Sequence, residues 1–175
     1  FGKTFRSFNV IDDFNREALN ITIDSSLNSR RVIRELDQLI DWRGKPERIR
    51  VDNGPEFIAN ALAQWAKLHK IELQFIEKGK PQQNGYIERF NRSFRTEILD
   101  AFSFDNLRQA RLLTHAWMWS YNNERPHSSL KYHTPVQFML KYGKLHQPNS
   151  PCEFPTFQHD NINNSLKSII LNTQE

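Results

Sequence analysis

The spacing of apolar residues changes along this chain in an order that few folds accommodate. Two runs alternate with period two: Phe8 and Val10 against Ser7 and Asn9 in residues 5–12, then Leu19, Ile21 and Ile23 against Asn20 and Thr22 in residues 19–23. Such alternation marks strands with one face buried. The short link Asp13-Phe14-Asn15-Arg16 makes them an antiparallel hairpin. The period then becomes helical, with Val32, Ile33, Leu36, Leu39 and Ile40 on one stripe, Asn28 or Ser29 as the cap, and Gly44 and Pro46 as the stop. A strand ending at Asp52 follows, then a helix over residues 56–69 that buries Ile58, Leu62, Trp65 and Ala66, and an alternating strand at 71–75. A helix bearing Glu88 and a long helix at about 107–121 come next, and Trp117, Trp119 and Tyr121 of that last helix read as core. A strand pair, then alternating helix and strand, then helices, argues for an α/β fold: a mixed sheet with helices packed on its faces.

At 175 residues, with 38% hydrophobic content, thirteen Phe and four Trp, the chain is long enough for one domain with a real core. A net charge of +4 and a pI near 9.3 favour an anionic partner, although many ordinary globular proteins are equally basic. The single Cys152 excludes an intramolecular disulfide and a cysteine-rich zinc cluster, and it suits a reducing compartment. No apolar run is long enough to span a bilayer, and no signal-peptide pattern is present. The first residue is Phe rather than Met, so a fragment of a longer protein is expected. From about residue 146 the character changes: Pro148, Pro151 and Pro155 interrupt the chain and residues 161–165 are polar. Residues 1–143 therefore read as the folded unit, and 144–175 as a polar, poorly packed extension with a short helix near 164–171.

Two carboxylates stand out by their settings. Asp52 ends the alternating run Arg48-Ile49-Arg50-Val51 and precedes the turn-forming Asn53-Gly54-Pro55, which puts it at the C-terminal tip of a strand. Glu88 lies on a helix whose apolar stripe is Ile87, Phe90, Phe94, Ile98 and Ala101, at the edge of that stripe beside Asn84, Asn91, Arg92 and Arg95. A strand-end Asp and a helix-borne Glu can converge on one divalent cation, and hard Mg²⁺ prefers such oxygens. The plainer reading is a solvated helix face with Glu88 and Arg92 as an i,i+4 pair, which describes most helices of this kind.

Three segments tip that balance. VDNGPEF at 51–57, QNGYIERFNRSFR at 83–95 and YNNERPHSSLKYHTP at 121–135 resemble the integrase-type catalytic core of bacterial insertion-sequence transposases, within the retroviral-integrase superfamily. The resemblance covers about residues 5–143 and implies a ribonuclease-H-like mixed sheet flanked by helices. It implies an Asp-Asp-Glu triad with thirty-five residues between its last two members; positions 53–87 supply that spacing here, making Asp52 the second member and Glu88 the third. By the same resemblance the triad binds two Mg²⁺ (or Mn²⁺) ions for DNA strand cleavage and transfer, and such a clamp suits in-line phosphodiester displacement. The partners implied are transposon-end and target DNA and further copies of the chain, in the bacterial cytoplasm, without membrane or small-molecule substrate. Lys78, Lys80, Asn84, Arg92 and Arg95 are the DNA contacts expected, with Arg95 two helical turns beyond Glu88. His127 of the Arg125-Pro126-His127 signature reads as a structural, hydrogen-bonded group, and His69 and His115 likewise.

The family's first Asp sits on a strand that precedes the segment seen here. Asp12 and Asp13 end the strand that resembles the family's second, and they do not fill that place. In this fold the first strand is central, so the resemblance implies a sheet lacking its middle, with orphaned backbone groups at about 1–3 kcal/mol each. Two alternatives follow: a ribonuclease-H-like nuclease that cuts without joining, against which the RPHSSL…TP segment speaks, and a truncated, inactive product that binds DNA or co-assembles with a full-length transposase.

Overall fold

The computed structural model describes residues 5–52, 54, 57, 60–77, 84–143 and 168–174. Strand β1 (Arg6–Asp12) pairs antiparallel with β2 (Ala18–Asp24), with a bulge between Val10 and Ile11. Arg16 turns the hairpin in the left-handed region, at φ 60°. Helix α1 (Ser29–Arg43) starts where the Asn28 side chain accepts from the Arg31 N–H, and ends at Gly44, whose φ of 85° favours a residue without Cβ. Then come β3 (Arg48–Val51), α2 (Asn60–His69) and β4 (Glu72–Phe75), with β4 parallel to β3. Helix α3 (Gly85–Phe94) runs on through one wide turn at Arg95–Leu99, followed by α4 (Leu107–Asn123) and α5 (Pro135–Tyr142). A reciprocal cap between Thr134 and Gln137 and a proline in the first turn open α5.

The sheet order is β2-β1-β5-β3-β4, and its centre is supplied from the far end of the chain. Strand β5 (Ser168–Gln174) lies antiparallel to β1 and parallel to β3, with Asn172 opposite Asn9 and Leu171 opposite Val51. The middle of the sheet is therefore filled, where a gap was expected. The extension is corrected with it: residues 168–171 form a buried strand and not the end of a short helix, while 144–167 lie outside the described residues. The physical reason is visible in Ile169-Ile170-Leu171, a short unbroken apolar run with two β-branched members, which suits a strand covered on both faces.

Alternation along the strands divides the core in two. Phe8, Val10, Ile49, Val51, Ile169 and Leu171 face α1 and α2, together with Leu36, Leu62 and Trp65. Ile11, Ile21, Ile23 and Ile170 face α3 and α4, where Ile87, Phe90, Phe94 and Tyr121 pack. Two expected core positions are corrected: Ala101 is exposed beyond the wide turn that ends the α3 stripe, and Trp119 is 59% exposed on the outer side of α4. Among the described residues no helix is long and apolar enough to cross a membrane.

Candidate active site at the end of the central strands

Asp52 follows β3 directly, one step past the Val51–Leu171 pairing, so the register sets it beside Asn172 of β5. Asp52 and Asn172 stand on the sheet face that carries Ile170 and meets α3, because side chains alternate along each strand. Both oxygens of Asp52 accept hydrogen bonds: Oδ1 from the Gly54 N–H at 2.9 Å and Oδ2 from the Asn172 side-chain amide at 2.8 Å. The first closes a local turn of the kind Asp makes with the backbone two residues on. The second is long-range and depends on the C-terminal strand.

Behind Asn172 stands a line of amides. Asn91 Nδ2 donates to Asn172 Oδ1 at 3.0 Å, and Asn9 Nδ2 donates to Asn91 Oδ1 at 2.8 Å. Asn91 and Asn9 are buried, at 3% and 0% exposure, and Asn9 Oδ1 is a buried acceptor without a hydrogen-bond partner. Three elements are thus bound to Asp52 by one polar thread: β5, α3 and β1. In the sequence Asn91 stands beside Glu88 as an amide at the edge of an apolar stripe, and its role emerges only from the fold.

Glu88 lies exposed in the first turn of α3, three residues before Asn91, a spacing that makes the two neighbours on the helix surface. Arg92 and Arg95 are exposed on the same stretch of chain. Asn84 differs from an outward contact: it precedes α3 at 4% exposure, with its Oδ1 buried and unpartnered. Lys78 and Lys80 lie outside the described residues. Asp12 pairs in register with Ile169, three residues along β5 from Asn172, which puts it about 10 Å from the Asp52 end of the sheet. Among the described residues, no three His, Cys, Asp or Glu side chains stand together to hold a metal ion. The Asp52 carboxylate faces the Asn172 amide N–H, and the Glu88 carboxylate lies one turn from Asn91; carboxylate oxygens are hard ligands of the kind that suit a divalent cation such as Mg²⁺.

The third signature segment is a clasp. The Asn122 side chain exchanges two hydrogen bonds with the Ala18 backbone, at 2.8 and 2.9 Å, and so mimics a strand partner at the start of β2. Glu97 accepts from Trp117 Nε1 at 2.7 Å and from Arg125 at 2.5 Å. Burial pushes the Glu97 carboxyl up, but the Arg125 and Trp117 hydrogen bonds and the guanidinium charge outweigh it and hold it below its usual range. Tyr121 is pushed up to about 12 by burial, and His127, edge-on to its ring, is lowered by burial and by Arg125. His127 bridges to His133 through the backbone, and its ring Nε2 is buried without a hydrogen-bond partner.

Two models of the integrase core domain match, one over residues 1–81 and the other over 69–135, and together they take in Asp52, Glu88 and the clasp. The chain belongs to the integrase core family. A protein of insertion element IS407 from Burkholderia multivorans is 43% identical over 141 residues, 81% of this chain and 51% of that protein. The chain thus spans about half the length of that relative. Among solved structures, a simian T-cell lymphotropic virus intasome aligns with TM-score 0.62 at 21% identity, over 86% of this chain and 51% of that one. The HTLV-2 integrase catalytic core in complex with magnesium aligns with TM-score 0.54 at 22% identity, over 74% of this chain and 81% of that one. These likenesses establish the ribonuclease-H-like fold of this integrase core.

Proposed function

We propose that this integrase core serves DNA transposition, with Asp52 and Glu88 as the carboxylates of a divalent-cation site for DNA strand cleavage and transfer. The observation that carries the reading is the thread from Asp52 through Asn172 to Asn91, which ties the strand-end carboxylate to the helix bearing Glu88 one turn away. Membership of the integrase core family and the insertion-element relative support it. The magnesium in the HTLV-2 core supports the choice of metal for this family. When bound, such ions activate an attacking oxygen and stabilise the departing one. The chain's own groups do the rest: Asp52 is held in place by the Gly54 N–H and Asn172, and Arg92 and Arg95 present charge for phosphates beside Glu88. Lys78 and Lys80 belong to the same proposed DNA-facing surface by sequence. Assembly of several copies on paired DNA ends fits the dimeric and trimeric forms of the HTLV-2 core.

The test is Mg²⁺- or Mn²⁺-dependent strand transfer on labelled terminal-repeat DNA, run beside Asp52→Asn and Glu88→Gln. Wild-type activity abolished by either change is expected, and activity that survives both defeats the assignment. Charge reversal of Arg92 and Arg95 should weaken DNA binding for all sequences alike and flatten its salt dependence by about 0.9 per lost phosphate contact. One observation favours a second reading: the group facing Asp52 across the strands is an amide, not a carboxylate. In that reading the chain binds DNA, or joins a full-length transposase, without cutting, and an inactive wild type that still binds DNA would select it. Hydrolysis without joining would select the nuclease.

A further inference from the structure

The amide thread has a direction, and that direction bears on the cation site proposed above. As it stands, each asparagine donates toward Asp52: Asn9 to Asn91, Asn91 to Asn172, and Asn172 to the carboxylate. An amide turned by half a rotation keeps its shape and exchanges donor for acceptor. If all three turn together, Asn172 Nδ2 donates to Asn91, Asn91 Nδ2 donates to Asn9 Oδ1, and Asn172 Oδ1 faces Asp52. The buried Asn9 oxygen, which has no partner in the present direction, gains one, while the Asn9 amide nitrogen loses its acceptor. The interior end therefore exchanges one unpaired group for another, and the choice of direction is decided at Asp52.

There the two directions differ sharply. A donor N–H stabilises the carboxylate alone, whereas a carbonyl oxygen at the same place repels it unless a cation lies between them. The separation suits the second case as well: Asn172 Nδ2 and Asp52 Oδ2 are 2.8 Å apart. Adjacent ligands of an octahedral Mg²⁺ at 2.0–2.1 Å lie about 2.8–3.0 Å from each other. We propose that Asn172 is a ligand of the cation held by Asp52, and that the Asn9–Asn91–Asn172 thread reverses when the cation binds. This rests on the reading of Asp52 as a cation-holding carboxylate. It gives the site a neutral third oxygen from the C-terminal strand and a rigid support from β1 and α3 that keeps that oxygen aimed.

The experiment titrates Mg²⁺ into uniformly ¹⁵N-labelled chain, following the side-chain amide signals of Asn9, Asn91 and Asn172, each assigned by its substitution. Calorimetry with Mg²⁺ on wild type, Asn172→Leu, Asn172→Asp and Asp52→Asn accompanies it. Expected are joint movement of the three amide pairs at one midpoint, about tenfold or greater weakening in Asn172→Leu, and tightening in Asn172→Asp. Wild-type affinity in Asn172→Leu, or an Asn172 amide pair that stays still while Asp52-dependent binding proceeds, overturns the proposal. Should Asn172→Leu not fold, the wild-type spectra decide alone. Binding by Asn172→Asp but not by wild type removes Asn172 as a ligand and leaves the Asp52 site standing. Asp52-dependent binding in neither removes both.

Discussion

Where β1 ends and β3 and β5 begin, acids and bases answer one another. Asp13 accepts from Arg16 at 2.7 Å and from Arg50 at 3.3 Å, and Glu17 accepts from the two terminal guanidinium nitrogens of Arg43 at 3.0 and 2.5 Å. At the opposite end of the same strands, Asp52 is met by a backbone N–H and an asparagine amide. At the first end the bonds join side chains of opposite charge; at the second, these two bonds come from neutral donors. The first end holds the hairpin against the sheet, and the second ties the Asp52 carboxylate to Gly54 and to β5. Both depend on β5, which runs between them.

Removing β5 should break the comparison altogether. Ile169, Ile170 and Leu171 are each at most 1% exposed, worth about 1.5–3 kcal/mol apiece in burial, and their sum rivals the whole stability of a typical domain at about 5–15 kcal/mol. Between β1 and β3 the sheet order places β5 alone, so its loss also strips ladder bonds from both neighbours. A chain ending at residue 167 should show no cooperative thermal transition by circular dichroism. A transition at the original midpoint would mean that β1 and β3 close on each other. Within the intact chain, Ile170→Ala should cost about 2–5 kcal/mol.

Asp12 shows what the charged end costs. Burial pushes its carboxyl up from 3.8 to about 6; Glu17 adds to the rise, while the Phe14 and Asn15 N–H groups and Arg43 oppose it. The folded state therefore takes up this proton before the unfolded chain does. The penalty is full above pH 6, fades as pH falls from 6 to 3.8, and is gone below that; two pH units correspond to about 3 kcal/mol at most. Asp12→Asn keeps an acceptor for the Phe14 N–H, which now bonds Oδ1 at 2.7 Å. It should raise Tm at pH 7 and leave Tm at pH 4 nearly unchanged. An equal gain at both values would show that ionisation of Asp12 is not what the fold pays for.

The elements that sequence made legible are those whose pattern is local. The hairpin, the Asn28 cap, the Gly44 stop and the Ile87-Phe90-Phe94 stripe all stand where periodicity and turn chemistry put them. Strand β5 escaped because a short apolar run reads equally as strand or helix, and only the slot between β1 and β3 chooses. The site divides in the same way. Asp52 and Glu88 were visible as a strand tip and a helix edge, whereas the role of Asn172 needs a partner 120 residues away, and no local rule points to it. Arg125 and Asn122 were visible as a motif, but their work as a clasp on Glu97 and Ala18 is a matter of tertiary contact.

A smaller effect is expected from opening the Glu17–Arg43 pair, whose side chains are 12% and 21% exposed. Arg43→Met leaves Glu17 beside Asp12 with its main counter-charge gone. Discounted for this exposure, the cost should be about 1–3 kcal/mol. Because Arg43 holds the Asp12 carboxyl down, its loss should push that carboxyl further up and extend the pH dependence of Tm upward. Adding Asp12→Asn should then recover part of the loss, and strictly additive effects in the double variant would show that the two groups do not interact.

The smallest effect should come from Asp52→Asn, and it discriminates most finely between the two ends. The new amide has one oxygen for two donors, the Gly54 N–H and the Asn172 amide. If the asparagine thread were locked, two N–H groups would face each other, at a cost of about 1–3 kcal/mol. If it can reverse, the new amide keeps its oxygen on Gly54 and donates to Asn172 Oδ1, and stability should change by less than about 1 kcal/mol. Chemical unfolding of Asp52→Asn and of Asn91→Leu/Asp52→Asn, each against its parent, separates the cases. With Asn91 removed, Asn172 turns without its neighbours, so the second comparison should be neutral whichever way the intact thread behaves. A cost present only when Asn91 is in place would show the thread to be locked, and the amide end of the sheet to be as fixed as the charged one.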